Sequence, residues 1–229
     1  MIAGRETAQR FFVDNGQTYD RIANLSTLGL DVWWKKKILD RIPPDPRRIV
    51  DQACGTGILT LKIARRFPQC QVIGVDLQDK YLDIARDKAR KLGLANASFV
   101  CGGAEEVVFE TGVDAVTSSY LAKYVDLARL VANARAMLRP GGVLIMHELT
   151  YPANPVCALL WKLDFAFLHT YGVWKYPEWA VSFLELPALV RESRWVEDLT
   201  RALKAHQFTD ISLEPQTFQV SAIVSARKA

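Results

Sequence analysis

The run RRIVDQACGTGILTLKIARRF, residues 47–67, constrains this chain more than any other stretch. An apolar run through Ile49 and Val50 ends in an acid, Asp51. Gly55 and Gly57 follow, two apart, and then apolar residues recur at helical spacing. Strand, glycine-rich turn and helix in that order form the geometry of a cofactor site. Glycine lets the backbone approach a ligand closely, because no Cβ intrudes.

The rest of the chain repeats this alternation. QVIGVDL and ASFVCG read as strands, with the helix DKYLDIARDKARKLG between them, ending at Gly93. A short helical segment is expected near Glu105. VDAVTSSYL is a strand, LARLVANARAML a helix, RPGG a turn and VLIMHELT a strand. Near the end come a helix, VEDLTRALKAHQF, and two closely spaced strands, TDISLEP and TFQVSAIVSARK. Two strands this close are expected to pair antiparallel at the sheet edge. The pattern predicts an α/β fold: a doubly wound, mostly parallel, seven-stranded sheet, Rossmann-like, with an antiparallel C-terminal edge pair.

One domain is expected from 229 residues. It divides into a helical N-terminal lid (5–41), a core (47–150), an aromatic lid (151–192) and a closing helix with edge strands (193–229). The aromatic stretch carries Trp161, Phe165, Phe167, Tyr171, Trp174, Tyr176, Trp179 and Phe183. A net charge of +4 is mild, and no long basic face marks a nucleic-acid partner. Cys54, Cys70, Cys101 and Cys157 form no C-x-x-C pair, and the three histidines lack zinc-ligand spacing, so no metal is expected. The N-terminus has acidic and polar residues where a signal peptide needs an apolar core. A cytoplasmic location is expected.

Two cofactors suit the glycine motif. Asp76 ends the second strand, where a carboxylate accepts both hydroxyls of an adenosine ribose. Nicotinamide and S-adenosyl-L-methionine enzymes both use that device. The dinucleotide fingerprint is G-x-G-x-x-G, and here the third glycine position is Thr60. That glycine serves close packing under a pyrophosphate. A methionine-tailed cofactor has no pyrophosphate; Asp51 can face its ammonium side, and N–H groups at the next helix N-terminus can meet its carboxylate. Main-chain groups around Ala104, with Glu105, suit an adenine edge.

From Ile49 to His147 the chain resembles a class I S-adenosylmethionine-dependent methyltransferase. DQACGTG corresponds to the glycine motif, VIGVDL to the acidic loop, CGGAEEVVF to the adenine loop and MLRPGGVLIMHE to the fifth-strand motif. Ala53 stands at the first glycine of the family pattern, and Gly103 where the adenine loop often carries an acid. The resemblance implies S-adenosylmethionine as cofactor and S-adenosyl-L-homocysteine as product. It implies cofactor contacts from Tyr19, Lys35, Asp51, Ala53, Gly55, Thr56, Gly57, Asp76, Leu77, Gly103, Ala104, Glu105, Ser119 and Tyr120.

A narrower resemblance lies in the flanks. Tyr19-Asp20, Leu28-Gly29-Leu30, Trp34-Lys35 and, in HELTYP, Glu148 and Pro152 look like the ubiquinone/menaquinone biosynthesis C-methyltransferases. That family carries Ser-Phe-Gly-Leu-Arg-Asn after its fourth strand. Here the run is Ser119 to Tyr124, and Lys123-Tyr124 replaces Arg-Asn. The resemblance implies methyl transfer to a small apolar or aromatic acceptor. C-methylation of a quinone precursor leads, beside O- or N-methylation of another metabolite, or cofactor binding without transfer.

A phenolic acceptor needs its hydroxyl deprotonated. The candidates for that work are Lys123, Tyr124, Glu148 and His147, and strand alternation sends the last two to opposite faces. DVWWKKKIL mixes aromatics with lysines, as interfacial helices do. A peripheral membrane contact and a homodimer are both compatible with the sequence, and no nucleic acid is expected.

Overall fold

The computed structural model describes residues 2–110 and 112–229. Three helices come first: α1 (Ile2–Phe11), α2 (Gly16–Ser26) and α3 (Leu30–Leu39). The alternating core follows: β1 (Arg48–Gln52), α4 (Ile58–Arg66), β2 (Gln71–Asp76), α5 (Asp79–Lys91), β3 (Ala97–Cys101), β4 (Val113–Ser119), α6 (Leu127–Met137) and β5 (Leu138–Leu149). The aromatic stretch is helical: α7 (Pro155–Phe167), a π-helical turn (Leu168–Gly172), α8 (Val173–Lys175), a 3-10 turn (Pro177–Trp179) and α9 (Ala180–Glu192). The chain closes with α10 (Trp195–Ala205), β6 (Phe208–Gln216) and β7 (Ser221–Lys228).

The seven strands run in the order β3-β2-β1-β4-β5-β7-β6. The first five are parallel; β7 is antiparallel to both β5 and β6. β1 and β4 are buried along nearly their whole length because helices cover both faces, so their sequences read as apolar runs. On one face α6 and α10 bury Leu130, Val131, Leu199 and Leu203. On the other, Ile38 of α3 and Leu59 and Ile63 of α4 pack on Ile49, Val72 and Ile145. Each such side chain contributes about 1.5–3 kcal/mol by leaving water.

Strand order reverses between β1 and β4. In an open sheet of this kind, the crevice above that switch point is where ligands bind. The sequence places its acids and glycines there: Asp51 in β1, the loop 53–57 after it, Asp76 at the end of β2, and Ser119 at the end of β4.

Two local expectations are corrected. No helix forms near Glu105; Gly103 O accepts from the N–H of Glu106 and of Val107 in a single turn. RPGG does not separate α6 from β5 but lies inside β5, where the register jumps between Val113 and Ala115. Four residues, 139–142, lie between partners that on β4 are separated only by Asp114, so the turn survives as a bulge.

Candidate active site

The glycine loop is fixed from three sides. Gly55 (φ +55°) and Gly57 (φ +81°) take left-handed conformations that other residues adopt at a cost. Gly55 N donates to Asp76 Oδ2 at 2.8 Å, and Gln78 N to Asp76 Oδ1 at 2.9 Å. Thr56 Oγ1 donates to Asp20 Oδ1 at 2.5 Å, and Lys88 pairs with the other oxygen of Asp20. Ala53 is also left-handed (φ +52°), the conformation that explains why the family pattern favours glycine there.

Above this loop lies a cleft. Its wall brings together Tyr19, Ala53, Gly55, Asp76, Leu77, Gly103, Ala104, Glu105, Ser119 and Tyr120 from the sequence-based set. It adds residues that sequence reasoning missed. Arg5, Ala8 and Gln9 of α1, Phe12 just beyond it, and Tyr81 of α5 all face the cleft. Asn15, almost fully buried, accepts from Tyr81 Oη at 2.5 Å and donates to Phe11 O at 2.7 Å, which holds the end of α1 over the cleft. The apolar spacing of ETAQRFF was the only signal for α1, and it did not say what α1 covers.

Four residues of that set stand back from the wall. Asp51 is buried, and its oxygens accept from Thr60 Oγ1 (2.6 Å) and Thr117 Oγ1 (2.8 Å). Burial pushes its carboxyl up to about 6. Thr56 is buried against Asp20, and Gly57 is the N-cap of α4. Lys35 is a correction: it forms a buried ion pair with Asp31, one turn away on α3, and does not reach the cleft.

A second cavity adjoins the first. Phe12, Tyr19, Tyr120 and Tyr124 line both and form the partition between them. Phe11, Ile22, Leu149, Phe165, Trp179, Phe183 and Leu186 complete a largely apolar chamber. Among its described lining residues only Lys123 carries a charge. Lys123 Nζ lies 2.5 Å from Glu148 Oε1, and both side chains are buried. Burial pushes the Lys123 ammonium down, and Glu148 pulls it back up. Glu148 Oε1 also accepts from Leu149 N at 2.7 Å, while its Oε2 meets no hydrogen-bond partner among the described residues.

Tyr120 is the central residue of the partition. Its φ of +66° is unusual for a bulky side chain. The surroundings hold it there: its N–H donates to His147 O (2.9 Å), its Oη to Asp31 Oδ1 (2.8 Å), and the ammonium groups of Lys35 and Lys123 lie 5.0 and 5.8 Å from its ring centre. Burial pushes the phenols of Tyr19, Tyr120 and Tyr124 upward, so at neutral pH they are donors rather than bases.

His147 and Glu148 point to opposite faces of β5, as alternation requires. Glu148 reaches the chamber through Lys123. His147 sits behind Tyr120 and Trp34, with Nδ1 3.0 Å from Ser119 Oγ, and lines neither cavity. Burial holds its imidazole well below its ordinary pKa, so it is neutral. That placement keeps it off the walls of both cavities.

The comparisons with known proteins fit this geometry. Residues 49–142 match the model of a methyltransferase domain. The demethylmenaquinone methyltransferase of Thermus thermophilus is 31% identical over 157 residues, 67% of this chain and 71% of that protein. The chain belongs to the class I S-adenosylmethionine-dependent methyltransferases. The methyltransferase is also 28% identical to the demethylmenaquinone methyltransferase of Chlorobaculum parvum, across 98% of this chain and 93% of that one. Among solved structures, a geranyl diphosphate methyltransferase in complex with S-adenosylmethionine superposes with a TM-score of 0.63 at 19% identity, over 87% of this chain and 86% of that one. The pyocyanin biosynthetic protein PhzM gives 0.65 at 19%, over 97% and 61%. These two likenesses establish the fold. The cleft fits the cofactor's parts: Asp76 offers carboxylate oxygens at the strand end, and the glycine loop leaves room for close backbone approach.

Proposed function

We propose that this methyltransferase acts on the ring carbon of an apolar, hydroxylated aromatic acceptor of the quinone-precursor type. The observation that carries the reading is the second cavity. It shares an aromatic partition with the cofactor cleft, and its one charged lining residue is already paired. Such a chamber suits an uncharged ring bearing apolar substituents. The two demethylmenaquinone methyltransferases support the same acceptor class. A diphosphate acceptor, as in the geranyl diphosphate relative, needs several cations; this chamber offers one, neutralised by Glu148.

When bound, S-adenosylmethionine supplies a methyl group already activated on a sulfonium. The chain's own residues do the rest. Asp76 would hold the ribose hydroxyls, and the main chain of 103–105 would hold the adenine. Tyr19 and Tyr120, which line both cavities, would stand between cofactor and acceptor. Lys123 donates to the ionised hydroxyl of the acceptor, and the protonated phenol of Tyr124 donates beside it. Glu148 fixes the position of Lys123 and is the carboxylate nearest to take a proton.

The test is transfer of labelled methyl from S-adenosylmethionine to reduced demethylmenaquinone, followed by extraction into organic solvent. Label in the organic phase, carried on a ring carbon by mass spectrometry, is expected. Asp76→Asn should lower that signal by about tenfold or more, through a weaker cofactor complex. Label on oxygen would replace the C-methylation reading with O-methylation. Label confined to aqueous products of a cell extract would overturn the apolar acceptor.

A further inference from the structure

The helical run 155–175 is apolar on two sides. Ala158, Phe165 and Leu168 face inward and are buried. Val156, Leu159, Leu160, Leu163 and Phe167 follow one another at three- and four-residue steps on the outer side, and all are exposed. Beyond the π-helical turn Tyr171 and Trp174 are exposed as well, Trp174 at 75%. An apolar helical face is ordinarily turned to a core or to lipid. Among the described residues nothing covers this outer face, and no helix is long and apolar enough to cross a membrane.

We propose that the outer face of α7, the π-helical turn and α8 docks on the surface of an anionic lipid bilayer. The charges beside the face favour lipid over a second copy of the chain. Lys162 and Lys175 are exposed and have no carboxylate partner among the described residues. Of the nearby acids, Glu178 is engaged by Thr18, Glu185 pairs with Arg10, and Asp164 is half-buried. Lysines at the border of an apolar helical face extend their ammonium groups toward headgroups while their stems stay in the apolar layer. Exposed Trp and Tyr suit the boundary between acyl chains and headgroups.

A second feature lies at the same end of the sheet. Phe218, 79% exposed, forms the tip between β6 and β7, where Thr217, Phe218 and Gln219 are all left-handed. Thr150 ties that tip to the end of β5, through Thr150 N to Val220 O (3.0 Å) and Thr150 Oγ1 to Gln219 O (2.6 Å). α7 begins five residues further on. The docking face also backs onto the chamber: Phe165, from the inner side of the same helix, lines it. An apolar acceptor in the bilayer would therefore lie beside the wall of the chamber. Docking adds to the proposed acceptor class but does not depend on it.

The full chain should co-sediment with vesicles of phosphatidylethanolamine and phosphatidylglycerol, and less with phosphatidylcholine alone. Leu163→Glu and Trp174→Glu should each weaken binding about tenfold or more. Lys162→Glu with Lys175→Glu should weaken binding to the anionic vesicles only. Affinity for S-adenosylhomocysteine, read by calorimetry, should stay unchanged in every variant, which shows that each has folded. Absence of vesicle binding would overturn the proposal. So would a stable dimer in solution that Leu163→Glu converts to monomer, since a second copy would then own the face. The assay contains no acceptor, so its failure and the failure of the acceptor assignment are read separately.

Discussion

The two cavities share four aromatic side chains but are built in opposite ways. The cofactor cleft rests on strand ends and a glycine loop, and its carboxylate is held by main-chain groups: the N–H of Gly55 and of Gln78 both donate to Asp76. The second cavity is assembled from α1, α2, α7 and α9 with the end of β5, segments far apart in sequence. Its one charge depends on a second side chain, Glu148, whose Oε2 meets no hydrogen-bond partner among the described residues. The first cavity is set by backbone geometry and the second by packing. The cleft should therefore respond to changes in chain conformation, and the chamber to changes in charge and volume.

The largest effect should come from the chamber. Lys123→Met removes the cation and leaves Glu148 buried without a counter-charge. Breaking one side of a buried pair costs about 3–5 kcal/mol, and replacing both sides with apolar residues costs little. Chemical denaturation should thus show a large loss for Lys123→Met that Lys123→Met/Glu148→Leu recovers in most part. Methyl transfer should be lost in both variants, with affinity for S-adenosylhomocysteine held within about twofold. A double variant that stays as unstable as the single one would show that the pair is not the source of the cost.

The same contrast decides what could be read from the sequence. The cofactor motifs were legible because each is a short local pattern: an acid, two glycines and a helix start. The seven strands and the antiparallel closing pair followed from period and spacing. What failed was anything that depends on how the helices pack on the sheet. Lys35 was assigned to the cofactor, but Asp31, one turn earlier on the same helix, holds it, and only the burial of α3 makes that pairing necessary. His147 and Glu148 are adjacent and both fully buried, yet only the fold shows that Glu148 reaches the chamber and His147 ends behind Tyr120. Phe12 and Tyr81 carry no motif at all; they line the cleft because α1 and α5 happen to meet there. Tyr120 occupies a left-handed conformation that its residue type disfavours, so propensity argues against its actual role.

A middle-sized effect should separate Asp51 from the cleft it was expected to line. Burial pushes its carboxyl up to about 6, against the pull of Thr60 and Thr117. In the unfolded chain it titrates near about 3.9. Between those values the folded protein keeps a proton that the unfolded chain has released. Stability contributed by this group therefore falls as pH rises from about 4 to about 6, and is level above that. The shift corresponds to about 3 kcal/mol. Asp51→Asn removes this slope, so the variant should gain on the wild type across that window in thermal melts. A constant difference from pH 4 to pH 7 would mean that the hydroxyls of Thr60 and Thr117 fully compensate for burial.

The smallest pair of effects tests the cleft at its two glycines. Both are left-handed, so an added Cβ costs about 1–2 kcal/mol of backbone strain at either. The surroundings differ. A Cβ at Gly57 would lie 3.0 Å from Ala85 Cβ, between α4 and α5, where neither helix can yield cheaply. A Cβ at Gly55 would meet only Tyr81 and Tyr19, at 3.7 and 3.8 Å, ordinary contact distances on the cleft wall. Gly57→Ala should therefore lower the melting temperature more than Gly55→Ala, while Gly55→Ala should weaken S-adenosylhomocysteine binding more than its stability loss implies. Equal effects on both readouts would mean that the loop shifts as one body, and that the cleft is governed by packing in the same way as the chamber.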